Sequence, residues 1–198
     1  MEELYLHPGG AELTIKAGET AGMKEGENLI DIGCGTGASM RLLKDTFGVD
    51  TFGIDIMSTN DGIKADASEI PFEDCSFDYA LMECVVTLLE DIPSALKEAR
   101  RVLKKGGKLI ISFLCSKPGC GYEGSLSSDS IVSHLKDAGF SIESISDESD
   151  YLKRYLVDII FKYDSFESFA KLVKKKYGYD IDCNIPAKCG YTLIIAQK

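Results

Sequence analysis

The sequence predicts an α/β fold, a mostly parallel sheet with helices on both faces, and three observations carry that prediction. Short apolar runs bounded by Gly and Asp alternate with longer helical patterns between Asn28 and Ile145, which is the signature of repeated strand-helix units. The first two runs, 28–32 and 51–55, are apolar at nearly every position instead of alternating, as strands buried on both faces of a parallel sheet are. At 198 residues, 44% hydrophobic and 27% charged, the chain has the length and globular balance to bury such a sheet in one domain.

Each element follows in order. Residues 1–27 form an amino-terminal arm in which Pro8-Gly9-Gly10 makes a fixed turn before a helix starting near Ala11. Strands are expected at 28–32, 51–55, 79–83 and 108–114. Between them, 38–47 reads as a helix with Met40, Leu43 and Phe47 at helical spacing, and 94–103 as another with Leu96, Ala99, Val102 and Leu103 inward. Lys105-Gly106-Gly107 is expected to stop that second helix, since Gly supplies the left-handed turn of a helix end. A helix over 130–138 closed by Gly139, a strand over 140–145 and a last, β-branched strand over 191–196 would close the sheet.

The stretch 148–190 is longer than a hairpin needs. Leu152, Tyr155, Leu156 and Ile159, then Phe166, Phe169 and Val173, predict two helices over 149–162 and 165–176. The insertion serves equally as a lid or as a dimer surface, which leaves the oligomeric state open. The expected division of the single domain is arm 1–27, core 28–147, helical insertion 148–190 and last strand 191–198.

Charge narrows the partners. Lys and Arg number 22 against 32 Asp and Glu, a net charge of -10, so phosphate backbones would be repelled and nucleic acid is not expected as a partner. The basic stretch 171–176 reads as a solvated helix face. No apolar run approaches the roughly 18 residues of a membrane helix, and the acidic start lacks the basic residues of a signal peptide. A cytoplasmic protein with no membrane partner is predicted. Seven cysteines without a Cys-x-x-Cys or a nearby paired His argue against a metal or disulfide framework.

The chemistry concentrates in Leu29-Ile30-Asp31-Ile32-Gly33-Cys34-Gly35-Thr36-Gly37, a strand running into Gly-x-Gly-x-Gly and then a helix. A tight turn at positive backbone angle with a ligand pressed against it excludes Cβ atoms. Asp55 ends the next strand about twenty residues on, where an acid accepts hydrogen bonds from ribose hydroxyls. A nicotinamide enzyme would place the third glycine one residue later, and the carboxylate of Asp31 beside the turn would oppose a pyrophosphate while suiting a cationic amino group. The expected ligand is a nucleoside carrying an amino acid.

With these residues in place the chain resembles the class I S-adenosylmethionine-dependent methyltransferases, of the small-molecule type 11-like group, whose first strand ends in Asp-x-Gly-x-Gly-x-Gly. The resemblance spans roughly Asn28 to Ser112 and takes in Ala65-Asp66-Ala67, Ile70-Pro71-Phe72, Ser76-Phe77-Asp78 and Arg101-Val102-Leu103-Lys104-Lys105-Gly106-Gly107. It implies a Rossmann-like methyltransferase fold with a seven-stranded sheet, S-adenosyl-L-methionine as cofactor, and methyl transfer to a small-molecule acceptor. It further implies that Asp31 and Gly33, Cys34, Gly35, Thr36 and Gly37 hold the methionine moiety, Asp55 the ribose, and Asp66 the adenine amino group, with Ile56 and Ala67 against the ring. Glu83 and Cys84 would lie beside the sulfonium, facing the acceptor. Met57-Ser58-Thr59-Asn60 is shorter than usual in such a family, which weakens the adenine wall.

Acceptor-side candidates are His7 and Glu12 in the arm and Cys84 directly after the 79–83 strand, as acid-base or orienting groups. Tyr122, Tyr151, Tyr155 and Tyr163 are pocket candidates weighed against core packing. Cys84, Cys115, Cys120, Cys183 and Cys189 would suit a thiol-bound metalloid if they met over the pocket, against the plainer reading of buried thiols as small apolar residues. The alternatives to a small-molecule methyltransferase are a non-catalytic cofactor-binding protein and methylation of a protein or a thiol-bound metalloid.

Overall fold

The computed structural model describes residues 5–57, 61–117, 126–178 and 189–198. After helix α1 (Gly10–Ala21), the chain alternates through β1 (Asn28–Ile32), α2 (Ala38–Phe47), β2 (Asp50–Asp55) and the two-residue β3 (Ile63–Lys64). It continues through β4 (Phe77–Glu83), a single 3-10 turn at Val86–Leu88, α3 (Ile92–Val102), β5 (Leu103–Ser116), α4 (Ser128–Asp137) and β6 (Ser141–Asp147). Helices α5 (Ser149–Tyr163) and α6 (Phe166–Tyr177) precede the last strand, β7 (Cys189–Gln197).

The sheet has seven strands in the order β3-β2-β1-β4-β5-β7-β6. The first five run parallel, while β7 is antiparallel to both of its neighbours. The expected closing pair is therefore interleaved: β7 slots between β5 and β6 and leaves β6 at the edge. The chain winds outward in both directions from β1 and β4, and a crevice opens at that reversal, outside the strand carboxyl ends.

Side-chain alternation along the strands feeds two cores. On one face Leu29, Leu81, Ile110 and Tyr191 pack with Leu13 and Ala17 of α1, Leu43 of α2 and Leu152 of α5. On the other, Ile30, Ile32, Ala80 and Met82 pack with Leu96, Ala99 and Val102 of α3 and Ile131 and Leu135 of α4. Helices α5 and α6 share a small core of Ile159, Phe169 and Val173, onto which Leu6 of the arm packs.

One expected boundary is corrected. Lys105-Gly106-Gly107 does not stop α3: that helix ends at Val102, and Leu103 is already extended, at φ -70° and ψ 140°. The glycines lie inside β5, where the ladder jumps from Phe77 opposite Leu103 to Tyr79 opposite Lys108. Gly106, at φ 79°, makes the bulge, and the Lys198 carbonyl and amide close it against the Gly106 amide and the Gly107 carbonyl.

Candidate active site

Register aims three carboxylates at one place. Asp31 of β1 lies opposite Gly53 of β2 and Leu81 of β4. Asp55 and Glu83 each stand two residues beyond those partners, so the period of two puts all three acids on the same face of the sheet at its carboxyl edge. A turn follows β1 directly. Gly33 sits at φ 81°, and a Cβ there would meet Val85 Cγ2 at 2.3 Å, so both conformation and space demand glycine.

Asp55 is also a strut of this turn. Its Oδ2 accepts from the Gly35 amide at 2.9 Å and its Oδ1 from the Met57 amide at 2.8 Å, while the Gly33 and Cys34 amides donate to the Ile54 carbonyl at 2.8 and 3.0 Å. The carboxylate keeps lone pairs for a further donor, since each oxygen has two.

Glu83 gathers the two flanking helices. Its side chain is 6% exposed; Oε1 accepts from Thr14 Oγ1 of α1 at 2.8 Å and Oε2 from Ser39 Oγ of α2 at 2.5 Å. Thr14 and Ser39 escaped the sequence reading, although each is a hydroxyl residue on an inward helical position, buried beside apolar neighbours. Asp31 is buried, and desolvation first, then the charges of Glu83 and Asp55, hold its carboxyl well above the usual carboxylate range.

These groups line a cavity of about 900 Å³ at the crevice. Of the sequence candidates, Asp31, Gly33, Cys34, Gly35, Thr36, Asp55, Ile56, Asp66, Ala67, Glu83, Cys84 and His7 line it, whereas Gly37 caps the start of α2 instead. Ile56 is 64% exposed at the rim. Asp66 is exposed and holds the Ser68 amide and hydroxyl at 2.8 and 2.7 Å, hydrogen bonds that lower its pKa. Residues 58–60, on which the adenine wall depends, lie outside the described residues.

Glu12 is not brought to the cavity. It is 64% exposed on the outer side of α1, accepting from Tyr151 at 2.9 Å and facing Arg154 at 3.4 Å. The physical reason is helical phase: Leu13 and Thr14 take the inward positions of that turn. Cys84 sits in the left-handed region, at φ 57°, with Sγ 3.1 Å from the Tyr191 hydroxyl, itself 3.0 Å from Ser112 Oγ. Burial pushes its thiol up to about 12, which favours the protonated form.

Among the tyrosines, Tyr155 of α5 lines the cavity and its hydroxyl is buried without a hydrogen-bond partner among the described residues. Tyr151 faces the surface, Tyr163 packs on Phe169, and Tyr122 lies outside the described residues. The thiol cluster is not assembled. Cys84 and Cys189 line the cavity, but Cys115 lies in the core on the α3 and α4 side, accepting from the Thr192 hydroxyl at 3.1 Å. Cys120 and Cys183 fall outside the described residues. Among the described residues no group of three or more His, Cys, Asp or Glu is arranged to hold a metal.

The cavity therefore offers a glycine cradle, three buried carboxylates and, among the described residues, no Lys or Arg in its lining. Such a site repels a pyrophosphate and attracts a ligand that carries positive charge, which fits a nucleoside bearing an amino acid and a sulfonium.

Comparison with known proteins agrees. A family model described as a methyltransferase domain matches residues 30–111. Phosphoethanolamine N-methyltransferase 1 of Zea mays is 25% identical over 187 residues, covering 87% of this chain and 36% of that protein. An O-methyltransferase of Penicillium expansum is 30% identical over 168 residues, covering 70% of this chain and 60% of that protein. The solved structure of Haemonchus contortus phosphoethanolamine N-methyltransferase 2, in complex with phosphomonomethylethanolamine and S-adenosylhomocysteine, superposes with a TM-score of 0.79 at 22% identity, covering 98% of this chain and 54% of that one. The chain thus spans little more than a third of the length of the Zea mays relative.

Proposed function

We propose that this chain is a class I S-adenosylmethionine-dependent methyltransferase, a reading supported by its match to a methyltransferase domain over residues 30–111, and that it transfers the methyl group of S-adenosylmethionine to a small-molecule acceptor held in the crevice outside β1 and β4. The observation that carries this reading is the convergence of the buried side chains of Asp31, Asp55 and Glu83 on a glycine turn in a cavity whose described lining holds no Lys or Arg.

In this reading Asp31 and the 33–37 turn hold the methionine moiety, and Asp31 ionises as the ligand's ammonium arrives, since an opposite charge offsets desolvation. Asp55 accepts from the ribose while keeping the turn in place. Asp66 meets the adenine amino group, with Ile56 and Ala67 flanking the ring. Glu83, fixed by Thr14 and Ser39, and Cys84 stand on the acceptor side. The cofactor supplies a methyl group on a sulfonium that is already a strong leaving group. What remains for the protein is to align the acceptor and exclude water; the arm from Tyr5 to Pro8 and the α5–α6 hairpin, which supply cavity wall, serve that purpose.

The same proposal excludes nucleic acid as acceptor on the net charge of -10 and sets the reaction in the cytoplasm. No helix among the described residues is long and apolar enough to cross a membrane.

Calorimetric titration of the reduced protein with S-adenosylhomocysteine, with NAD as control, tests the cofactor. Micromolar binding of the former alone is expected, and failure to bind it would overturn the proposal. Tight binding without methyl loss across acceptor panels would favour a non-catalytic cofactor-binding protein.

A further inference from the structure

Beside the carboxylates, the cavity contains two buried polar atoms with no hydrogen-bond partner among the described residues: Nε2 of His7 and the hydroxyl of Tyr155. They come from opposite covers, the arm and α5, and both line the same space. The His7 side chain is 8% exposed, so an unmet ring nitrogen there is costly unless something arrives to meet it.

Nδ1 lies 3.2 Å from the Pro8 carbonyl oxygen, which only accepts, so in the neutral ring the proton sits on Nδ1 and Nε2 presents a lone pair. Glu83 Oε2, 3.4 Å from Nε2, is a second acceptor and meets that nitrogen only once it carries a proton. A ligand that satisfies Nε2 of the neutral ring must donate. The surrounding wall is apolar and aromatic: Leu6, Leu114, Phe166 and the ring of Tyr155. A phosphate or carboxylate would bring only acceptors, would face Glu83 and Asp31, and would find no Lys or Arg among the described lining residues.

We infer that the acceptor is an uncharged, largely apolar molecule methylated on a hydroxyl oxygen, with His7 Nε2 taking the hydroxyl proton and Tyr155 holding the oxygen, and that phosphorylated acceptors are excluded. This rests on the methyl-transfer reading above. In the step, the acceptor oxygen gains the methyl carbon as the carbon–sulfur bond breaks and its electron pair leaves on sulfur. The hydroxyl proton passes to Nε2, and the resulting imidazolium is balanced by the carboxylate of Glu83. A protonated amine would also donate to Nε2, but its nitrogen has no lone pair to receive a methyl group. The Zea mays relative is by name a phosphoethanolamine methyltransferase; the lining of this cavity separates the present chain from that substrate.

The test uses the full chain saturated with S-adenosylhomocysteine and three matched probes, 1-naphthol, 1-naphthyl phosphate and 1-naphthylmethylamine, with phosphoethanolamine added in turnover assays with S-adenosylmethionine. Naphthol is expected to bind at least tenfold more tightly than either charged probe and to yield its methyl ether. Tyr155→Phe should weaken naphthol binding roughly tenfold, the scale of one lost hydrogen bond. His7→Gln, which keeps a polar group but cannot take a proton, should leave binding within a few-fold and lower the methylation rate roughly 100-fold. Both variants should retain S-adenosylhomocysteine affinity. Equal or tighter binding of a charged probe, methylation of phosphoethanolamine, no naphthol binding, no ether from bound naphthol, or an unchanged rate in His7→Gln would each overturn the inference. Loss of S-adenosylhomocysteine binding in the wild type would instead strike the methyl-transfer reading itself.

Discussion

Gly33→Ala should damage both the fold and the cofactor cradle, and the structure sets the size of the effect. At φ 81° an alanine occupies the left-handed region, which costs about 1–2 kcal/mol. Its Cβ would lie 2.3 Å from Val85 Cγ2, an overlap that only displacement relieves, at about 1–3 kcal/mol. The total is about 2–5 kcal/mol, against the 5–15 kcal/mol that typically holds a domain together. For a chain of this length that lowers the melting temperature by about 4–20 °C. The two components separate in a double-mutant cycle with Val85→Ala, which alone costs about 1 kcal/mol for methyl groups only half buried. Removing the valine relieves the overlap but not the backbone, so a coupling of about 1–3 kcal/mol is expected and a residual loss of about 1–2 kcal/mol should persist. Urea denaturation of the four proteins measures this. Strict additivity would refute the steric argument for glycine at this position, and a Gly33→Ala protein as stable as the parent would refute the strain argument as well.

Other outcomes follow from the same site. Asp55→Ala should weaken S-adenosylhomocysteine binding by about 1–3 kcal/mol in calorimetry and also lower stability, because the Gly35 and Met57 amides lose their acceptor; unchanged affinity would contradict the ribose role. Asp31 has its pKa raised in the folded state, so above the ordinary carboxylate range the native state holds a proton that the unfolded chain has released, and stability falls as pH rises toward the folded value. Asp31→Asn should flatten that slope in denaturant melts from pH 4 upward and raise stability at neutral pH, while weakening cofactor binding; a slope unchanged by the substitution would refute the assignment. Tyr155→Phe removes a hydroxyl that has no partner among the described residues, so the ligand-free protein should be as stable as the parent or more stable by up to about 1 kcal/mol; a loss above 1 kcal/mol in thermal melts would mean the hydroxyl has a structural partner.

The local pattern was enough to determine the layered α/β architecture, because burial on both faces leaves strands such as 28–32 without alternation and helical apolar spacing is visible wherever a helix packs on one side. The glycine turn and Asp55 were equally legible, since steric exclusion of Cβ and the spacing to the next strand end are properties of the chain itself. The tertiary structure decided what depends on contacts distant in sequence. The role of Gly106 and Gly107 was misread because the pair looks alike as a helix stop and as a bulge, and only pairing with β4 and Lys198 distinguishes the two. Helical phase within α1 turned Glu12 outward and Thr14 inward to Glu83. His7 and Tyr155, 148 positions apart in the numbering, share a cavity because the arm packs on the α5–α6 hairpin through Leu6. No periodicity records that contact, since it is made by burial between two covers and not by any repeat along the chain.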